Sequence, residues 1–150
     1  MDILNISIFG LITPLEIIYL AIVVIVIGYI FSGMFRVRPS SVRDITSRLR
    51  FDLGDFKLAV LVTAPAIVLH ELSHKFVAMA FGFPAQFHIW GFGLLLALFL
   101  RVIGSPLIII APGYVGIPLV TDPTMYRLIA AAGPIINLIL WISAFLILKF

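Results

Sequence analysis

The sequence predicts an all-α, multi-pass membrane protein of about three spans, with a short membrane-associated β or re-entrant segment, in one domain over residues 1–150. Three observations carry this reading. Of the 150 residues, 63% are hydrophobic and 11% are charged, with a mean hydropathy of +1.24; soluble domains run near 45–50% apolar and about 25% charged. Apolar runs over 14–35, 58–83 and 126–148 each reach the roughly 20 residues needed to cross about 30 Å of hydrocarbon. The densest basic cluster (Arg36, Arg38, Arg43, Arg48 and Arg50, with Lys57 beyond) lies in one loop between two of these runs.

That cluster also decides what the net charge of +3 and pI near 9.6 mean. Basic residues gathered beside a span act as a topology signal, so nucleic acid is not expected as a partner and the lipid bilayer is. The positive-inside rule makes the loop over 36–57 cytoplasmic and leaves the amino terminus outside the cell membrane. Asp44, Asp52 and Asp55 dilute the charge, as in a soluble connector turning near Gly54. The chain has no Cys, so it carries no disulfide, and any metal must be held by His, Asp or Glu.

Taken in order, residues 1–13 form a short mixed lead-in, and the first span follows. Pro14 suits a first helical turn, and Glu16 suits the positive end of the helix dipole. The acidic start and long apolar core are those of a retained span, not a cleaved signal peptide. The second span starts near 56–58. Pro65 lies within it and should kink it just ahead of His70. Lys75 needs headgroups or a carboxylate to meet its charge. Gly82-Phe83-Pro84 ends the helix.

Residues 83–118 are punctuated by Gly and Pro and do not form a simple span. Stretches 108–110 and 114–115 are β-type, and 94–100 reads as a short helix. Strands at membrane depth must be paired or shielded by protein. A free edge here would present an extended peptide for cleavage, or the segment serves only as packing. Arg101 is expected to snorkel to an interface. Thr121-Asp122-Pro123 opens the third span with a cap and a first-turn proline.

The chemistry gathers at Leu69-His70-Glu71-Leu72-Ser73-His74. Histidines four residues apart share one helical face, the spacing that grips a single ion, with Glu71 beside them. Neutral imidazoles suit Zn2+, which lowers the pKa of a coordinated water to about 7. Glu71 is then the base that takes a proton and returns it to the leaving amine. Each ionisable group in a membrane helix costs about 2.5–3.5 kcal/mol on insertion scales, so such a cluster needs a compensating partner, which a metal ion supplies. Asn137, the one amide of the third span, either bonds across a helix interface or donates to the substrate carbonyl. The small residues 130–133 permit close helix packing.

His70-Glu71-Leu72-Ser73-His74 followed by Ala132-Gly133-Pro134-Ile135-Ile136-Asn137 resembles the site-2 protease family of intramembrane zinc metalloproteases. Ala111-Pro112-Gly113-Tyr114-Val115 between them is similar to that family's membrane-embedded strands. The resemblance spans about 58–148. It implies that His70 and His74 ligate zinc, that Glu71 is the catalytic acid and base, and that Asn137 contacts substrate near the scissile bond. It also implies single-pass membrane proteins as substrates, cut toward the cytoplasmic side.

The family's third ligand, an Asp followed by Gly on a later helix, has no match. Asp122 precedes Pro123 and lies before Gly133. The expectation is therefore a truncated core, or a variant that borrows a ligand from His88, Asp122 or another subunit. The rivals from other classes are a catalytically silent membrane scaffold and a metal-transporter component using His70 and His74 as a transit site. No internal repeat supports the transporter.

Overall fold

A computed structural model describes residues 10–32, 34, 51–105, 107 and 109–149. The lead-in over 1–9 and the arginines of the basic loop, 36–50, lie outside them. Among the described residues four helices and two strands follow in order: α1 Pro14–Phe31, α2 Leu53–Ala80, β1 Gln86–Ile89, α3 Gly91–Val102, β2 Gly113–Gly116 and α4 Pro123–Lys149. Helices α1, α2 and α4 are long and apolar enough to cross a membrane, as the sequence predicts. At 12 residues, or about 18 Å, α3 is too short to do so.

Contacts divide the chain into two compact units: Met1–Tyr19 with Pro65–His88 and Tyr114–Phe150, and Leu20–Ala64 with Ile89–Gly113. The first unit is organised around a carboxylate. Thr13 and Glu16 form a reciprocal capping box: Glu16 N–H donates to Thr13 Oγ1 at 3.2 Å, and Thr13 N–H donates to Glu16 Oε2 at 2.8 Å. The same carboxylate accepts from Lys75 Nζ, at 2.5 Å to Oε1 and 2.6 Å to Oε2, and from Phe87 N–H at 2.8 Å. Lys75 thus finds a carboxylate partner, with both side chains buried. Below it, Ala78, Ala85 and Ile129 form a small apolar core packed by Val77, Met79, Phe83, Val115, Ile117 and Val120. Gly82, at φ +84°, turns the chain out of α2.

The strands are antiparallel: as the chain advances through Gln86, His88 and Trp90, its neighbours run back through Gly116, Tyr114 and Pro112. β2 coincides with the predicted 114–115, whereas Ile109 and Ile110 are in no strand. The sequence reading did not assign β1, because Phe87-His88-Ile89 is too short to show a period.

In the second unit, Val23, Ile27 and Ile30 of α1 and Ala59 of α2 are fully buried, and Gly28 lets Val60 approach. Asp52 caps α2 by accepting Asp55 N–H at 3.0 Å, so Gly54 belongs to the first turn of the helix and not to a connector. Arg101 Nη2 donates to the Ser32 carbonyl at 2.7 Å, just past the end of α1.

Candidate metal centre

Helix α2 carries both histidines, and the spacing that predicts a shared face holds. Nε2 of His70 and Nε2 of His74 lie 3.2 Å apart. Two nitrogens each bound at about 2.0–2.1 Å to one ion and separated by that distance subtend about 100–105°, close to tetrahedral. The pair therefore fits two positions of a zinc coordination sphere.

The far sides of both rings are held from α4. His74 Nδ1 is 2.7 Å from the carbonyl of Ile129. A carbonyl only accepts, so Nδ1 carries the proton, and the Nε2 of the neutral ring is left with its lone pair. His70 Nδ1 is 3.1 Å from the side-chain amide of Asn137. Both contacts are of the kind that orients metal-binding imidazoles from behind. Between the rings, α4 comes so close that a β-carbon on Gly133 would overlap Nε2 of both His70 and His74. Only glycine permits this approach, and Ala132 and Gly133 are buried against it.

Glu71 is 8% exposed and lies one helical turn before His74. Its carboxylate makes no hydrogen bond or ion pair among the described residues. Among those residues no group of three His, Cys, Asp or Glu side chains converges on one point. The two alternatives for a third ligand are placed elsewhere. Asp122 caps α4, its Oδ1 accepting Thr124 N–H at 2.7 Å and Met125 N–H at 3.2 Å. The His88 ring lies tilted against that of Tyr114, ring centres 5.6 Å apart, and lines a cavity of about 550 Å³ with Thr13, Lys75, Gln86 and Gly116.

The pair lies off the middle of α2. His70 is about 26 Å of helix from Leu53 and about 15 Å from Ala80. The pair is thus nearer the end away from the 36–57 loop.

Sequence reasoning singles out His70, Glu71, His74 and Asn137 as candidates, and the structure brings His70, His74 and Asn137 into contact. It misses Glu16 as the partner of Lys75, although Thr13-x-x-Glu16 is a legible capping box. The Ile129 carbonyl carries no side-chain signal at all. Comparison with protein-family models, with curated proteins and with solved structures gave no match. Fold and site together define, among the described residues, three long apolar helices with a half-buried histidine pair held between two of them.

Proposed function

We propose that this chain is a zinc-dependent intramembrane endopeptidase, or the core of one, that cuts single-pass membrane proteins. One observation carries the reading: two imidazole nitrogens 3.2 Å apart, each backed at Nδ1 by a group on α4. Inside an apolar helix pair this arrangement has little use without a cation. When bound, a zinc ion supplies Lewis-acid charge for a peptide carbonyl and makes water more acidic. Glu71 removes the proton of the attacking water and delivers it to the leaving amine nitrogen, so that one water is consumed and one peptide bond broken. Asn137, at the far side of His70, is within the same cluster and is suited to hydrogen-bond the substrate.

An extended substrate would pair with a strand edge. Phe87 N–H faces away from β2 and is engaged by Glu16, which leaves the outer edge of β2 as the one to pair. A cytoplasmic loop over 36–57 then sets the histidine pair toward the outer half of the membrane.

A metal-binding but silent scaffold is the second reading, favoured by one observation: a catalytic zinc takes three protein ligands, and the described residues bring two together. The variant Glu71→Gln separates the two. It should retain the metal and lose all cleavage of a membrane-spanning substrate that the wild type cuts. A wild type loaded with zinc that cuts no membrane substrate ends the protease reading.

A further inference from the structure

The amide of Asn137 has one atom 3.1 Å from His70 Nδ1, and its Oδ1 is buried without a partner. An unpaired buried acceptor costs about 1–3 kcal/mol, so the orphan calls for a cause. The nitrogen and oxygen of an amide are exchanged by a half-turn, and the hydrogen-bond network decides between the two settings. With nitrogen toward the ring, His70 Nδ1 must accept, so its one proton sits on Nε2 and points at the lone pair of His74 Nε2. That chain is closed and has no room for an ion. With oxygen toward the ring, His70 Nδ1–H donates to Oδ1, and both Nε2 lone pairs face one another across 3.2 Å. That second setting is unfavourable when empty and is the one a cation requires.

We infer that Asn137 is a positioning residue for His70: its Oδ1 accepts His70 Nδ1–H in the metal-loaded protein, fixing the tautomer that exposes Nε2. The same half-turn puts Nδ2–H, a donor, where the orphaned acceptor now lies. Asn137 is thus a donor toward bound substrate only while it holds His70. The inference rests on the metal-centre reading and adds the side of the amide that faces the ligand.

The test is a zinc titration against a competing chelator, on detergent-purified full chain. Three forms are compared: wild type, Asn137→Leu (similar shape, no acceptor) and Asn137→Asp (acceptor kept, donor lost). Thermal unfolding of each serves as a check on folding. Loss of a second partner of a ligating histidine weakens metal binding about 10–100-fold. Asn137→Leu should show that loss, and Asn137→Asp should bind zinc at least as tightly as wild type. Equal affinity in Asn137→Leu and wild type overturns the inference and leaves the metal centre standing. Weak binding in both variants overturns it too, because the acceptor is then not what matters. A wild type that takes up no zinc overturns the metal centre itself.

Discussion

The buried pair Glu16–Lys75 allows an asymmetry to be predicted. Both residues are 3% exposed, and Glu16 holds four hydrogen bonds: two from Lys75 and one each from Thr13 N–H and Phe87 N–H. Among the described residues Lys75 donates only to Glu16. Breaking a buried ion pair by removing one partner costs about 3–5 kcal/mol, because a charge is stranded. In Glu16→Leu the ammonium is left with nothing, and two backbone N–H groups are orphaned at about 1–3 kcal/mol each. In Lys75→Met the carboxylate keeps both backbone donors and stays partly satisfied. Glu16→Leu should therefore fall at or above the top of the 3–5 range and Lys75→Met near or below its bottom, a gap of about 2 kcal/mol or more. Glu16→Gln with Lys75→Met removes both charges, keeps one acceptor, and should recover most of the loss. The assay is reversible unfolding in mixed detergent micelles, with unfolded fraction followed by tryptophan emission. Equal costs for the two single substitutions, or a double variant as unstable as Glu16→Leu, would refute the reasoning.

Two further outcomes follow from the same geometry. Gly133→Ala inserts a β-carbon between Nε2 of His70 and Nε2 of His74, so α4 or the rings must move; overpacking of this kind costs about 1–3 kcal/mol, and zinc affinity measured by chelator competition should drop with it, whereas unchanged affinity means α4 does not approach as described. The chain has no cysteine, so Ser47→Cys provides a single label site. The positive-inside rule predicts labelling of that thiol from the cytoplasmic side only, and labelling from outside would instead put the histidine pair in the cytoplasmic half.

Much of this arrangement was legible in the sequence because it rests on local rules. Three long apolar runs give three long helices, and His70 and His74 share a face because a helix turns every 3.6 residues. The short helix over 94–100 appears as α3, and Gly82-Phe83-Pro84 ends α2 as expected. What escaped depends on the approach of distant segments. β1 is four residues long, and its strand character comes from pairing with the distant β2, in contacts such as that of His88 with Tyr114, 26 residues along the chain. The ties from Glu16 to Lys75 and from Arg101 to the Ser32 carbonyl join positions far apart in sequence, which no periodicity reveals. Gly133 was read as a small residue for helix packing, and it is one. That its neighbours are the two imidazoles could be known only once α4 had been laid against α2.

The central claim is that His70 and His74 form one metal site. Metal analysis of detergent-purified protein, loaded with zinc and passed over a chelating column, tests it most directly. About one zinc per chain should remain in the wild type, and His70→Ala and His74→Ala should each release it while both variants still unfold cooperatively. Zinc content unaffected by either substitution would contradict the account.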